Sequence, residues 1–375
     1  MFSVHELPDR VEFHPCGPSR GAVLVPFHTV GVAAGDEDPL MHAHRFFWEV
    51  RELARVIAGL GFHVDVINLG AAPPPRFPDY QAILGISDAL WRYAPGLPGA
   101  RKLMWMSGSH PEFQNRREME RIQALQQRRG GAYRPRRQIA NVQGELASIE
   151  MADHCALIGN ATTLSTYQPA WRAKIELIDV GDRPPCVKPQ HMLPPSPREF
   201  VWSALSGSIL KGLDIVLDLF AQHDWPTLHI VGSIEQEEDF MSAYRLELDG
   251  HPRIRRHGSR FANDPELAAI FNRAAVVIHP SASEGMAASV TNCLQVGLYP
   301  VISRESGIDL PEGCGRILQT CSHAEVADAV EGVLKMSDAQ LALETGRIQA
   351  MALERFSRSA FTRRVRSLFE TWLGA

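Results

Sequence analysis

The run Ala275-Val-Val-Ile-His279-Pro280-Ser281-Ala-Ser-Glu284-Gly285-Met286-Ala287-Ala-Ser-Val-Thr291-Asn292-Cys-Leu-Gln-Val-Gly297-Leu-Tyr299-Pro300-Val-Ile-Ser303 decides the fold. It begins as a short apolar run rich in β-branched residues, the pattern of a buried strand. It then passes through a turn of small residues and a helix-like segment into a second strand, Tyr299 to Ser303. Strand, helix and strand in that order make a parallel βαβ unit. Glu284 and Gly285 fall on the turn at the carboxyl end of the first strand, the edge where an open α/β sheet binds ligands. A carboxylate followed by glycine suits a polyhydroxylated ligand approached closely by bare backbone.

The same alternation extends in both directions. Upstream, strands are expected over Ala22–Phe27, Phe62–Ile67, Gln81–Ile86, Lys102–Met106, Cys155–Gly159 and Lys174–Asp179. A helix is expected from His42 to Leu60, where Phe46, Val50, Leu53 and Val56-Ile57 recur at helical spacing. The segment Gly181–Arg198 holds six prolines, which exclude both helix interior and central strand and mark a linker. Beyond it come strands at Phe200–Ala204, Leu228–Val231, Ala275–His279 and Tyr299–Ser303, with a helix at Leu213–Phe220. The tail Ser357–Leu373 reads as an amphipathic helix in search of a surface.

The organisation predicted is α/β with two Rossmann-like domains: residues 1–190, residues 199–355, and a terminal helical segment 356–375.

Length and composition agree. A chain of 375 residues is long for a single core, and 45% apolar with 22% charged residues is ordinary for a water-soluble globular protein. A net charge of −5 argues against a nucleic-acid partner. No apolar run reaches membrane-spanning length, and the N-terminus lacks a signal-peptide pattern, so a cytoplasmic protein is expected. The six cysteines include no Cys-x-x-Cys pair. Among the fifteen histidines, His42 and His44 are close together, at a spacing that puts them on different faces of a helix; no metal is expected.

Two nucleotide signatures are absent. The loop after the first strand, His28 to Pro39, contains no Gly-x-Gly-x-x-Gly and carries Asp36, Glu37 and Asp38, which would repel a pyrophosphate. No Gly-x-x-x-x-Gly-Lys-Ser/Thr occurs either. The second domain instead opens Trp202-Ser-Ala-Leu-Ser206-Gly207-Ser208-Ile-Leu-Lys211-Gly212-Leu-Asp214. A strand, a small-residue turn and Lys-Gly at a helix start bring backbone donors and a cation together, which is one way to hold a diphosphate without metal. A structural lysine on an ordinary loop is the alternative.

Lys211-Gly212, His229-Ile-Val-Gly232, and Pro280-x-x-x-Glu284-Gly285 with Gly297 after the helix resemble the second domain of GT-B glycosyltransferases of the family four group. The resemblance covers Phe200 to the C-terminus in detail and the first domain in general plan. It implies two Rossmann-like domains facing a cleft, a C-terminal helix crossing back to the first domain, and a nucleotide diphosphate sugar as donor substrate with no cofactor. It further implies that Lys211 contacts the diphosphate and Glu284 the sugar hydroxyls, with Ser206, Gly207, Gly232, Gly285, Met286, Ala287 and Asn292 completing the donor site. Two positions depart from the family. Asn292 stands where a ribose-holding glutamate is usual, and Ser206 where an arginine is usual. The family's retaining stereochemistry is therefore not carried over.

In the first domain, Trp105 to Asn115 leaves a strand through Ser107-Gly108-Ser109 into His110, a candidate base or phosphate partner, or a turn histidine. Asp36, Glu37 or Asp38 would serve as the catalytic base if the reaction inverts; solvated loop acids are the other explanation. Five arginines between Gln126 and Arg137 offer a surface for an anionic acceptor such as a lipid-linked glycan, or for a peripheral contact with the inner membrane face.

The function expected is transfer of a sugar from a nucleotide diphosphate sugar to a glycan or glycolipid, in surface polysaccharide or lipopolysaccharide biosynthesis. A nucleotide-sugar epimerase or hydrolase of the same fold, and a degenerate domain that binds glycan or a partner without chemistry, remain open.

Overall fold

The computed structural model describes residues 8–35, 38, 41, 45–74, 79–184, 186–189, 194–260 and 264–374. Seven strands form the first sheet: β1 (Arg10–Phe13), β2 (Ala22–Phe27), β3 (His63–Asn68), β4 (Ala82–Ile86), β5 (Arg101–Met106), β6 (His154–Ile158) and β7 (Ile175–Ile178). Their spatial order is β1-β3-β2-β4-β5-β6-β7, parallel except for β1, which runs antiparallel to β3. Six strands form the second sheet: β8 (Glu199–Ser203), β9 (Leu228–Val231), β10 (Ile254–Arg256), β11 (Ala274–His279), β12 (Tyr299–Ser303) and β13 (Arg316–Leu318). Their order is β10-β9-β8-β11-β12-β13, all parallel.

That order places the site. From β8 the chain winds outward through β9 to β10, then returns to lay β11 on the other side of β8. The reversal opens a crevice beyond the carboxyl ends of β8 and β11, where a doubly wound sheet binds its ligand. The loops leaving those two strands carry Lys211 and Glu284. In the first sheet the reversal falls between β2 and β4, and the loop after β2 carries Asp38.

The helices that matter here are α1 (Arg45–Gly59), α2 (Pro111–Arg129), α3 (Leu213–Gln222), α4 (Ala288–Val296), α5 (Asp338–Arg355) and α6 (Arg358–Leu373). The last of these crosses back to the first sheet. Phe361 packs its ring 5.4 Å from that of Trp48 on α1 and 5.9 Å from that of Trp105 on β5. At the far end the Trp372 ring stacks on His154, and its Nε1 donates to Glu176 at 2.8 Å. Seven α6 residues are buried, so its apolar stripe has the surface that its sequence demanded.

The proline-rich segment does not hang between the sheets. The Asp182 amide donates to the Phe356 carbonyl at 2.8 Å, and the Lys188 amide to Val296 at 3.1 Å. Gln349 on α5 donates to the Lys188 carbonyl at 2.9 Å. These bonds satisfy polar backbone that prolines leave without a ladder.

The basic run between Gln126 and Arg137 has a role other than a free anionic-acceptor or membrane surface. Arg128 reaches Asp214 at 2.5 Å and Asp218 at 3.2 Å on α3, Arg129 reaches Asp218 at 2.8 Å and Glu247 at 2.6 Å, and Arg136 reaches Asp239 at 2.7 Å. Three of the five arginines thus neutralise carboxylates of the opposite domain. They latch the end of α2 to the second sheet.

Candidate active site

A cavity of about 300 Å³ lies between the two sheets. Its wall includes Lys211, Glu284, Met286, Ala287, Asn292, Ser206 and Gly232 from the second domain, Ser107 and Arg137 from the first, Asp182 from the linker and Arg358 from α6.

The two loops that matter are pinned to each other. Gly212, with φ +74°, turns the chain into α3, and a Cβ there would lie 2.5 Å from the Pro280 carbonyl. The Ala282 amide donates to Leu210 at 2.9 Å. Lys211 Nζ therefore meets Glu284 Oε1 at 2.5 Å, with the two side chains only 9% and 14% exposed. His279 Nε2 and Ser281 Oγ lie 3.0 and 3.1 Å from the same carboxylate oxygen, each placed to donate to it.

Burial would raise the Glu284 carboxyl, but the Lys211 ammonium and the His279 bond hold it well below the usual carboxylate range. Burial pulls the Lys211 ammonium down, opposed by the Glu284 charge. At ion-pair distance from Lys211, with its carboxyl held low, Glu284 is placed as a hydrogen-bond acceptor rather than a proton carrier.

The first domain holds this loop by its carbonyls. Arg121 donates to Pro280 at 2.8 Å, Arg117 to Ala282 at 3.4 Å, Ser109 Oγ to Glu284 at 2.7 Å and Thr163 Oγ1 to Gly285 at 2.8 Å. A Cβ on Gly285 would sit 2.3 Å from the Ser107 carbonyl oxygen and 2.6 Å from that of Ile158. The glycine is required by the other domain's backbone, and Gly285 does not line the cavity. Sequence reasoning credited that close approach to a ligand; the physical cause is interdomain packing.

Gly207 also departs from expectation. Its amide and that of Ser208 donate to the buried Glu237 carboxylate, at 2.7 and 3.1 Å. The turn amides expected to cradle a phosphate are already occupied by an internal anion, and burial raises the Glu237 carboxyl.

Asn292 lines the cavity, where its Nδ2 donates to Asp182 Oδ2 at 2.9 Å and its Oδ1 is buried without a hydrogen-bond partner. Burial pushes the Asp182 carboxyl up to about 6, against the pull of Arg183's amide, Arg45 and Arg358. A carboxylate thus adjoins the amide, supplied from a segment 110 residues earlier in the chain. Sequence reasoning missed Asp182 because nothing local links a proline-rich linker to α4.

It also left His279 and Ser281 unassigned. A polar residue ending an otherwise apolar strand was the available signal.

His110 is not brought to this cavity. It caps α2, accepting from the Glu112 amide at 3.3 Å, stacks on Trp171 and faces a separate open cavity; burial lowers its imidazole. Asp38 is half-buried in a turn whose carbonyl accepts from Met41 and is not among the residues lining the cavity. Asp36, Glu37, His42 and His44 lie outside the described residues. Among the described residues, one group, Glu12, His14 and His63 at the β1 edge, has metal-ligand spacing; an Arg10 guanidinium pairs with Glu12 there.

Among known proteins, residues 203–336 match the family model described as glycosyl transferases group 1. No curated protein sequence matches. The fold is that of GT-B glycosyltransferase structures. Sucrose-phosphate synthase from Thermosynechococcus elongatus superposes with a TM-score of 0.68 at 17% identity, over 95% of this chain and 100% of that one. Anabaena HepE in complex with UDP-glucose gives 0.57 at 13%, over 93% and 99%. WaaG, a glycosyltransferase involved in lipopolysaccharide biosynthesis, gives 0.55 at 10%, over 92% and 99%.

Proposed function

We propose that this protein transfers a sugar from a nucleotide diphosphate sugar to a hydroxyl of a glycan or lipid-linked glycan. The observation that carries the reading is the dehydrated Lys211–Glu284 pair, set in a cavity at the switch point of the second sheet. The family match over residues 203–336 supports the transferase class. HepE with its UDP-glucose supports the donor class, and WaaG supports an acceptor of the surface-polysaccharide type.

In this reading the Glu284 carboxylate accepts hydrogen bonds from donor sugar hydroxyls, while the Lys211 ammonium turns towards the departing diphosphate. Negative charge grows on that leaving group in the transition state, so a pre-placed cation in a dry site stabilises it where it counts. Positioning of donor and acceptor supplies the remainder. Charge neutralisation is assigned to Lys211 rather than to a metal ion, and transfer is expected to persist in EDTA. Nothing in the reading depends on Arg128, Arg129 or Arg136 touching a membrane, since their charges are spent on Asp214, Asp218, Glu247 and Asp239. No helix among the described residues is long and apolar enough to cross a membrane. A cytoplasmic reaction is part of the proposal and rests on the donor class alone.

The test is transfer from radiolabelled UDP-, GDP- and ADP-sugars to a glycolipid extract, with Lys211→Ala and Glu284→Gln as controls. Acceptor-dependent incorporation that falls at least about a hundredfold in both variants is expected. Equal nucleotide release with and without acceptor would replace the reading by a hydrolase or epimerase. Failure to bind any nucleoside diphosphate would replace it by a binding protein.

A further inference from the structure

We propose that Arg137, a residue of the first domain, is the uncommitted cation of the cavity among the described residues and binds the donor's diphosphate across the domain boundary. The inference rests on the nucleotide-sugar reading above and adds to it the residue that completes the anion site.

A diphosphate carries more negative charge than one ammonium can balance, and Lys211 already shares its charge with Glu284 at 2.5 Å. The turn amides that would ordinarily help are taken by Glu237. The cavity's arginines are the further positive charge at hand. Arg260 is committed to Asp264 at 3.4 Å and Glu266 at 2.5 Å. Arg45 is paired with Glu49 at 3.4 Å, and Arg358 lies over the Trp48 ring. Arg137 lines the same cavity with no carboxylate at ion-pair distance among the described residues.

Its placement is built rather than incidental. The buried Glu118 carboxylate accepts the amides of Arg136 and Arg137, at 2.7 and 2.8 Å, and Gln114 donates to the Arg137 carbonyl at 2.5 Å. The main chain is thereby fixed while the residue as a whole stays exposed. The stem lies across Gly207, where a Cβ would come within 2.5 Å of Arg137 Cγ. Gly207 leaves room for the arginine to pass over the turn towards Lys211, close enough that its charge lowers the Lys211 ammonium further. Of the neighbouring arginines, 128, 129 and 136 are all matched to carboxylates. The segment therefore spends three guanidiniums on holding the domains together and presents one to the cavity. A planar guanidinium suits two phosphate oxygens at once.

The test is calorimetric titration of the native chain, Arg137→Gln and Arg137→Lys with UDP, GDP, ADP and the three parent nucleosides. For whichever diphosphate the native protein binds, Arg137→Gln should weaken binding by roughly 10- to 100-fold, the worth of one charge-assisted contact. Arg137→Lys should recover part of the loss, and affinity for the parent nucleoside should not change. Native binding with an unaltered Arg137→Gln affinity overturns the role of Arg137 and leaves the transferase reading standing. An equal loss for nucleoside and diphosphate overturns it too, because the effect would then be structural. Absence of any diphosphate binding by the native chain overturns both readings together.

Discussion

Replacing Glu284 by glutamine keeps the size of the side chain and removes its charge, so it isolates the Lys211 interaction. At 2.5 Å and an effective dielectric of about 20, the Coulomb attraction is about 7 kcal/mol. Dehydrating the two ions takes several kcal/mol of this back. The expected cost of Glu284→Gln is about 3 kcal/mol, most of it the penalty of an ammonium left buried without its partner. Lys211→Met should cost a similar amount for the mirror reason. The double variant removes both charges, and its cost should fall at least about 2 kcal/mol short of the summed singles. Urea unfolding followed by tryptophan fluorescence measures all three, since Trp202 Nε1 donates to the Lys211 carbonyl at 3.1 Å and reports on this region. Additive single costs, or a Glu284→Gln cost below about 1 kcal/mol, would refute the argument.

The same pair has a pH signature. The folded value of Glu284 lies below its unfolded value, so its ionised form favours the fold. That contribution is complete above the unfolded glutamate value of about 4.3 and is lost as pH falls below it. Lys211 runs the other way. Its folded value is lowered, so its charge costs stability at neutral pH, and the cost is relieved as pH rises through the folded value towards about 10.4. Without the Glu284 charge the Lys211 value drops further, and Glu284→Gln should gain more stability than the native chain between pH 7 and 10. Identical alkaline slopes would contradict this account.

Asp182, with its folded value raised to about 6, should cost stability as pH rises from about 4 through 6, by at most about 3 kcal/mol; Asp182→Asn should flatten that slope in melting curves taken across this range. Gly285→Ala places a methyl 2.3 Å from the Ser107 carbonyl, and the forced separation should cost about 1–3 kcal/mol and abolish transfer, with scattering showing a more open particle. Arg128→Ala leaves Asp214, whose side chain is 1% exposed, short of its closest cation and should destabilise by about 2–4 kcal/mol; a melting temperature within a degree of native would count against the latch.

The alternation of buried strands and amphipathic helices was legible because it is local. Val276 to Ile278 and Tyr299 to Ser303 announce themselves by composition, and β11 and β12 occupy nearly the same bounds in the structure. Three short edge strands were not legible: β1, β10 and β13 hold at most two apolar residues each, too few for an apolar run or a period to register. Lys211 and Glu284 could be found because each sits on a turn ending a strand, and the switch-point rule brings two such turns together. Arg137 was visible as charge but not as position, since its neighbours' acidic partners lie more than 80 residues away. Asp182 and Gly285 take their meaning from the opposite domain, and a sequence read along one chain direction contains no trace of that contact.

The second domain pins its own two loops together, but a second set of contacts that places the cavity residues crosses the domain boundary. Four first-domain groups hold the carbonyls from Pro280 to Gly285. Asp182 is tied to Phe356 at the point where α6 begins its return. Arg137 reaches over Gly207 from the first domain. Each of these bonds is local in strength, worth about 1 kcal/mol for a neutral pair, yet all are made or lost together if the sheets separate. Site assembly and domain engagement are therefore one equilibrium. A ligand bridging Arg137 and Lys211 would favour the engaged state by its differential affinity for it, and a variant that loosens the Arg128 latch should weaken diphosphate binding without touching the cavity.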